Sequence, residues 1–175
     1  MTTCIVDFDT KTIYTDDLQT RYHKEVTTSS FGFKKVSRDV GLGFAPTEKI
    51  RMTANGCTVV AAGCATTLDE FARGYPNKIP KAPKSNTTIL VCQVVGDTFR
   101  VISYQSRVGV FRNRWEIDVI SPLKRHIAIG SGSEYAAGAL AAGATPENAI
   151  IAASKLDHYT SANVTGYKVV DPRTV

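Results

Sequence analysis

The chain begins with two short runs in which β-branched and aromatic residues dominate, 2–8 and 11–16. Asp9 and Thr10 lie between them and are typical of turns, so the pattern predicts an N-terminal β-hairpin. The stretch 18–48 that follows is mixed, with hydroxyl residues, three glycines and a proline. It predicts a loop-rich insertion with room for one short hairpin.

Further strands are predicted from runs of apolar and β-branched residues at 49–52, 58–63, 87–95, 99–105 and 115–120. Asn55-Gly56 is a tight-turn pair between the first two of these runs. A helix is predicted to begin at Thr66, because a capping hydroxyl, early acidic residues and apolar positions at helical spacing follow one another there. The Pro- and Lys-containing segment 76–83 keeps that helix short.

The last third of the chain changes from a strand-like to a helix-like period. Residues 131–142 are rich in alanine and predict one helix. A second helix is predicted over 145–158, since it opens with an N-capping threonine and a proline, and 164–170 predicts a final strand. This order predicts an α+β chain with a single domain over 1–175, in which helices cover apolar sheets.

Composition places the chain among ordinary globular proteins. Of 175 residues, 43% are apolar and 21% are charged. No apolar run approaches the roughly 20 residues of a membrane-spanning helix, and no basic-then-apolar leader is visible, so we expect a cytoplasmic protein without a membrane partner. The four cysteines are scattered in apolar contexts, which predicts buried thiols in a reducing compartment and no metal site.

The net charge of +5 does not by itself indicate a nucleic-acid partner. Basic residues are scattered apart from two loose clusters, at 78–84 and 124–126. Neither an aromatic-basic ladder nor a helix-turn-helix pattern accompanies them. We therefore expect no nucleic acid among the partners.

The residues most able to carry chemistry stand at the N-terminus. A Met1 that precedes a small residue is normally removed in cells, which would leave Thr2 with a free α-amino group. Amines of this kind have pKa values of about 7.7–8.0, so part of the population is neutral near pH 7. Such an amine can accept a proton from the hydroxyl of the same threonine and activate it as a nucleophile.

A threonine nucleophile also needs a positive charge, an acid that orients this charge, and N–H donors for a developing oxyanion. Asp17 ends the second predicted strand, so a hairpin could return it to Thr2; a turn-capping role is the alternative. Lys49 begins a strand and is either the positive charge or an ordinary solvated lysine. Gly63 stands where a strand gives way to a helix, and its N–H is a candidate oxyanion donor, although a tight turn also explains it.

Two further candidates lie in the last third of the chain. Ser131 precedes a predicted helix and is either a site residue or an N-cap. Asp157 lies near the C-terminus of a predicted helix, where a negative charge is unfavourable. This position indicates a partner such as Lys49 or the Thr2 amine, and an ordinary exposed acid is the alternative.

Short segments spread over nearly the whole chain carry a family resemblance. They are Thr2-Thr3-x-Ile5-Val6, Asp17-x-Gln19, Lys49-Ile50-Arg51, Asn55-Gly56, Ala62-Gly63 and the block from Ile127 to Ala136. The last block, Ile-Ala-Ile-Gly-Ser-Gly-Ser-x-Tyr-Ala, is the most specific, because it fixes many positions at one strand-to-helix junction. In these segments the chain resembles the bacterial HslV peptidase and proteasome β-subunits.

The resemblance implies the four-layered αββα sandwich of N-terminal-nucleophile hydrolases. It also implies a threonine endopeptidase that acts on peptides or unfolded proteins, needs no cofactor and assembles into a homo-oligomeric ring. Thr2 would be the nucleophile and its own amine the general base. The backbone N–H of Gly63 would form the oxyanion hole.

The same resemblance assigns supporting roles to other residues. Lys49 would lower the pKa of the nucleophilic hydroxyl, and Asp17 would orient Lys49. Ser131 and Asp157 would support the N-terminal amine. Thr160, three residues beyond that acid, is a weaker candidate for the same role.

Two stretches depart from the family pattern. About two dozen residues separate Gly63 from Thr87, and they include three prolines, so one short helix fits where the family has two long ones. We therefore expect a shortened first helical layer and regard an ATPase unfoldase partner as doubtful. The insertion 18–48 could line the substrate cleft, block it or contact another subunit.

Two other functions remain open at this point. A catalytically inactive structural or assembly protein would keep the fold, and the shortened helical region and the insertion favour it. An amidase that acts on a small substrate is a third reading, since related folds use the same machinery. A peptidase would require the removal of Met1 and would lose its activity in Thr2→Ala, whereas a structural protein would be indifferent to both.

Overall fold

The computed structural model describes residues 2–28, 34–46, 49–109 and 112–173. Its strands are β1 (Thr3–Asp7), β2 (Thr12–Asp16), β3 (Leu18–Thr28), β4 (Lys34–Pro46), β5 (Ile50–Met52), β6 (Thr58–Ala62), β7 (Thr88–Val95), β8 (Thr98–Arg107), β9 (Arg114–Ile120), β10 (His126–Gly130) and β11 (Val164–Lys168). Its helices are α1 (Ala65–Gly74), α2 (Ser133–Ala141) and α3 (Pro146–Ser154).

The N-terminal hairpin forms the centre of a four-stranded antiparallel sheet with the order β10-β1-β2-β11. Cys4 of β1 pairs with Thr15 of β2 on one side and with Ile129 of β10 on the other. All five residues of β1 are buried. The predicted hairpin is confirmed, and its central place in the sheet holds Thr2 at a buried position rather than on a frayed end.

A second antiparallel sheet has five strands in the order β5-β6-β7-β8-β9. Each strand predicted between residues 49 and 120 is present in it. The turn between β5 and β6 contains Asn55-Gly56 as predicted, and Gly56 has a φ of +79°, which glycine adopts without strain. This sheet carries Gly63 at the end of β6, and Lys49 immediately precedes β5.

The insertion differs from the prediction of a loop-rich segment. β3 has 11 residues and β4 has 13, and they pair from Leu18 with Pro46 to Thr28 with Lys34. In the described ranges this pair joins neither of the two sheets. The β-branched and aromatic residues spaced along both strands favour extended pairing, and they outweigh the glycines on which the loop prediction rested.

The buried apolar residues form three clusters. One joins the two sheets and includes Val6 from β1 with Leu90 and Val101 from β7 and β8. A second packs Phe71 of α1 against β6, β7 and β8. The third packs α2 and α3 against Ile5. Ile5 and Val6 belong to different clusters because successive residues of a strand point to opposite faces.

The helices are short, and their ends agree only in part with those predicted from the sequence. α1 has Cys64 as its N-cap, without a side-chain cap hydrogen bond, so the predicted capping role of Thr66 is wrong. In α3, by contrast, the Thr145 hydroxyl accepts the Asn148 N–H at 3.3 Å, as the sequence predicts. That helix ends at Ser154, four residues earlier than expected. No helix in the described ranges has the length and apolar character needed to cross a bilayer.

Candidate active site

Thr2 lies in a buried polar contact with Lys49 and Asp16. Lys49 Nζ donates to Thr2 Oγ1, and Thr2 Oγ1 donates to Asp16 Oδ1. Lys49 Nζ also donates to Asp16 Oδ1 at 2.6 Å. The exposed fractions of Thr2, Lys49 and Asp16 are 3%, 8% and 0%, so little water screens these contacts. An ammonium group in this position stabilises negative charge on the Thr2 oxygen more strongly than it would in water.

Asp16 is held by main-chain donors as well as by Lys49. Its Oδ1 accepts the Thr3 N–H at 3.0 Å, and its Oδ2 accepts the Ser161 N–H at 3.1 Å. Both carboxylate oxygens are therefore hydrogen bonded, which a fully buried carboxylate requires. The ammonium group of Lys49 balances the negative charge, so the pair is buried without net charge.

The acid beside Lys49 is Asp16, and not Asp17 as the sequence predicted. Strand β2 ends at Asp16, and successive residues of a strand point to opposite faces. Asp17 is thus turned to a different side, where its Oδ2 accepts a hydrogen bond from Asn163 Nδ2 at 3.2 Å near the surface. This contact joins residues far apart in the sequence, so it is neither the predicted contact with Lys49 nor a local turn cap.

Asp157 organises a second polar cluster next to the first. Its Oδ2 accepts from Ser131 Oγ at 2.6 Å and from Thr160 Oγ1 at 2.7 Å. Thr160 Oγ1 lies 2.6 Å from Thr3 Oγ1, and the Ser131 N–H donates to the Thr2 carbonyl oxygen at 3.0 Å. Ser131 and Asp157, which the sequence singled out separately, therefore lie together, and the cluster reaches Thr2 through its main chain.

The environment of Asp157 favours the ionised carboxylate. Burial raises the pKa of Asp157, but the hydroxyl groups of Ser131 and Thr160 and the N–H of Tyr159 outweigh burial and hold the pKa below its ordinary value. Asp157 as a residue is only 8% exposed. It is therefore a buried anion at neutral pH and not the exposed acid of the alternative reading.

This lowered pKa predicts a pH-dependent contribution to stability. Because the folded-state pKa is depressed, the contribution is complete above the unfolded pKa of about 3.9 and is lost as the pH falls through the folded value. We expect Asp157→Asn to lower the melting temperature at pH 7 by about 2–4 °C for each kcal/mol lost, and to have a smaller effect at pH 3. Calorimetry of both proteins measures the drop in melting temperature at each pH. An equal drop at pH 7 and pH 3 would contradict the prediction.

A cavity of about 410 Å³ opens beside these clusters, where the end of β6 faces β10. Gly63 and Ser131 are among the residues that line it. Gly63 has a φ of +126°, and a Cβ atom there would lie 2.8 Å from the Asn86 carbonyl oxygen, so a side chain would be strained and crowded. Gly63 therefore lies in the wall of the cavity. Ser131, whose N–H donates to the Thr2 carbonyl oxygen, lines the same cavity.

Gly130 permits the close approach of β10 to Thr2. Its φ is +104°, and a Cβ atom would lie 1.6 Å from the Thr2 carbonyl oxygen. We expect Gly130→Ala to displace Thr2 and to lower the free energy of unfolding by about 2–4 kcal/mol. Gly138→Ala in α2 is the matched control, because a Cβ atom there meets open space and alanine stabilises a helix by roughly 0.5–1 kcal/mol. Urea unfolding measures the free energy of unfolding of both variants. Equal values for the two variants would contradict the prediction.

The thiol of Cys4, close to Lys49, does not compete with Thr2 as a nucleophile. Burial raises the pKa of Cys4 to about 12, and the positive charge of Lys49 offsets only part of this rise. The thiol therefore stays protonated at neutral pH, and the thiolate is the reactive form. In the described ranges, no group of three His, Cys, Asp or Glu side chains is placed to hold a metal ion.

Sequence reasoning missed three contributors to these clusters. Asp16 and Thr3 lie level with each other in the hairpin, because Cys4 pairs with Thr15. This register was a usable signal, since it places the last acid of β2 next to the residue that follows Thr2. Ser161 contributes only a main-chain N–H, which no side-chain pattern reveals.

No protein-family model matches the sequence, and no curated protein matches it. Among solved structures, the chain is similar to the crystal structure of eukaryotic HslV from Trypanosoma brucei, with a TM-score of 0.53 and 16% sequence identity. The match covers 94% of this chain and 97% of that chain. At this level of identity the likeness concerns the fold, so the two antiparallel sheets and few helices of this chain form an HslV-like fold.

Proposed function

We propose that the protein is a threonine-type peptidase in which Thr2, exposed by removal of Met1, attacks the substrate carbonyl. The observation that carries the proposal is the buried hydrogen bond from Lys49 Nζ to Thr2 Oγ1. Lys49 Nζ is held in this position by its hydrogen bond to Asp16 Oδ1, at 2.6 Å. The HslV-like fold supports it, since the fold places a β-strand directly after the nucleophile. The cavity offers space for a substrate, and its lining includes Ser131, whose N–H donates to the Thr2 carbonyl oxygen.

The reaction begins when the Thr2 amine takes the proton from Oγ1 and Oγ1 bonds to the carbonyl carbon of the scissile peptide. The carbonyl electrons move to the oxygen, and the Gly63 N–H donates to this oxyanion. The C–N bond then breaks, and the leaving amine takes the proton from the Thr2 ammonium group. Water attacks the resulting ester with the same amine as base, and the acid product leaves as Oγ1 regains a proton.

Other side chains assist this reaction without bonding to the substrate. Lys49 stabilises the negative charge that develops on Oγ1, and Asp16 keeps its ammonium group in place. Ser131 and Asp157 support the N-terminal residue through its main chain. In this assignment Asp16 takes the orienting role first given to Asp17.

The four-layered αββα arrangement belongs to the same proposal, with α1 as the shortened helical layer. It is supported by the three apolar clusters, one between the sheets and one beneath the helices on each side. We also place the protein in the cytoplasm, since Cys4, Cys57, Cys64 and Cys92 are all free thiols. Peptides or unfolded proteins are the proposed substrates.

A homo-oligomeric ring is the proposed assembly. It is supported by Ile117 and Val119 on the edge strand β9, which are 54% and 61% exposed and would gain stability under a neighbouring subunit. An ATPase unfoldase remains a doubtful partner. The resembled family has two long helices between the corresponding strands, whereas in the described chain α1 is the one helix between β6 and β7.

Two forms of the protein test the proposed activity. One is produced with Thr2 as its first residue, and the other retains an additional dipeptide before Thr2, with both masses verified. We expect the first form to hydrolyse fluorogenic peptide amides at least about 100-fold faster, because only a free Thr2 amine can act as the base. Equal rates would contradict the mechanism, and hydrolysis confined to small amides would indicate an amidase.

The second candidate function is a catalytically inactive structural or assembly protein. It is favoured by the shortness of α1 and by the additional β3–β4 pair, which belongs to neither of the two larger sheets. This function predicts the same oligomer with or without the Thr2 hydroxyl and no hydrolysis in either form. Light scattering and the peptide assay together distinguish it from a peptidase.

A further inference from the structure

The cavity beside Gly63 has an unusual wall for a site between two packed sheets. The described residues that line it are uncharged and mainly polar, with amides and hydroxyl groups from Asn86, Thr88, Ser103, Gln105, Ser131 and Ser133. The volume of about 410 Å³ lies within the range of small-molecule sites in proteins, roughly 300–1,000 Å³.

The strand register explains why this polar wall is exceptional. Ser103 pairs with Leu90, which pairs with Val60, so Ser103 lies on the face of the second sheet that carries the central apolar cluster. Gln105, two residues further along β8, lies on the same face and pairs with Thr88. A face that packs apolar side chains along most of its length thus ends in polar ones next to Gly63.

Three polar side chains of this wall have no hydrogen-bond partner in the described part of the chain. Ser103, Gln105 and Thr88 are partly buried, and their side chains make no hydrogen bond to any other residue of the described chain. Partly buried polar groups that lack a protein partner are normally satisfied by water or by a ligand. Ser131, in contrast, is already bonded to Asp157.

The lack of charged side chains among the described lining residues restricts which ligand groups the cavity can bind well. None of the described residues that line it is Asp, Glu, Lys or Arg, so a charged ligand group would lose hydration without gaining a counter-ion from them. Asp118 pairs with Ser103 on β9 but is exposed and outside the lining. An apolar ligand group would leave the amide of Gln105 and the hydroxyl of Ser103 unsatisfied.

From these observations we infer that the cavity binds the uncharged amide side chain of a substrate asparagine or glutamine adjacent to the cleaved bond. A carboxamide offers donors and an acceptor, which match the amide of Gln105 and the hydroxyl groups of Ser103 and Thr88. The position next to Gly63 places such a side chain beside the carbonyl that Thr2 attacks. This inference rests on the proposed peptidase function.

Cleavage of an equimolar peptide library, with products sequenced by mass spectrometry, measures the preference. We expect Gln and Asn to exceed their apolar near-isosteres Met and Leu about tenfold in kcat/KM at one position flanking the cleaved bond, as one or two neutral hydrogen bonds allow. In Gln105→Met the preference should fall to about twofold or less. Gln93→Met, on the opposite face of the same sheet, is the matched control and should keep the full preference.

A binding measurement separates this inference from the proposed function. In the Thr2→Ala protein, the side-chain amide resonances of Gln105 should shift on titration with a Gln-containing peptide and not with the matched Met-containing peptide. Binding without any Thr2-dependent cleavage in wild type would support the site and overturn the peptidase. Cleavage that favours Met, Leu or Lys, or that is unchanged in Gln105→Met, would overturn the site and leave the peptidase standing.

Discussion

Thr2→Ala is expected to lower kcat/KM for peptide hydrolysis by at least about 1,000-fold, since removal of a nucleophile leaves only binding and oxyanion stabilisation. The substitution removes the oxygen that Lys49 and Asp16 both contact. Lys49 and Asp16 remain paired with each other at 2.6 Å, so the fold should survive with a loss of about 1–3 kcal/mol.

Thr2→Ser is the control for this prediction, because it keeps both the amine and a hydroxyl group. We expect it to retain measurable hydrolysis, and its melting temperature should lie close to that of wild type. Steady-state kinetics and thermal unfolding on the same samples separate loss of chemistry from loss of structure. A Thr2→Ala protein with wild-type activity would exclude Thr2 as the nucleophile.

Asp16→Asn is expected to cause the second large effect. Asparagine leaves the buried ammonium group of Lys49 without a counter-ion, which should cost about 3–5 kcal/mol of stability and lower kcat/KM by about 100-fold or more. Asp17→Asn is the matched control, since it makes the same chemical change one residue away at the surface. The stability of that variant should remain within about 0.5 kcal/mol of wild type, and its kcat/KM within about twofold.

A double variant distinguishes the structural role of the pair from its role in the reaction. In Asp16→Asn combined with Lys49→Met, no buried charge is left unpaired, so much of the lost stability should return. The activity should not return, because the positive charge beside Thr2 Oγ1 is gone. Loss of activity in Asp17→Asn, with Asp16→Asn unaffected, would reverse the assignment of the acid.

Local features of the sequence singled out several candidate site residues, each with an ordinary structural role as the alternative. Asp157 follows a helix end, where an anion is unfavourable, and it proves to be buried with hydroxyl and N–H partners. Lys49 stands at a strand start, where an ordinary solvated lysine was the alternative, and the resemblance assigned it to Thr2; it is buried against Thr2. The glycine at the β6 end, Gly63, was predicted from its position between a strand and a helix.

Features that depend on pairing between distant strands could not be predicted in this way. The hairpin register sets Asp16 level with Thr3, but the contact of Asp16 with Lys49 joins segments of two different sheets. Ser103 and Gln105 lie on the face shared by the two sheets, which follows from the pairing of β8 with β7 and not from their own polar side chains. The β3–β4 pair is longer than the one short hairpin that the sequence allowed for, because the glycines and proline of 18–48 favoured a loop-rich segment.

The most direct test of the central claim is the intact mass of the protein before and after incubation with a peptide vinyl sulfone, an electrophile that captures a nucleophilic hydroxyl. We predict a mass that corresponds to loss of Met1 and, after incubation, one covalent adduct that is absent in Thr2→Ala. A protein that has lost Met1 and still forms no adduct, or forms the same adduct in Thr2→Ala, would contradict the assignment of Thr2 as the nucleophile.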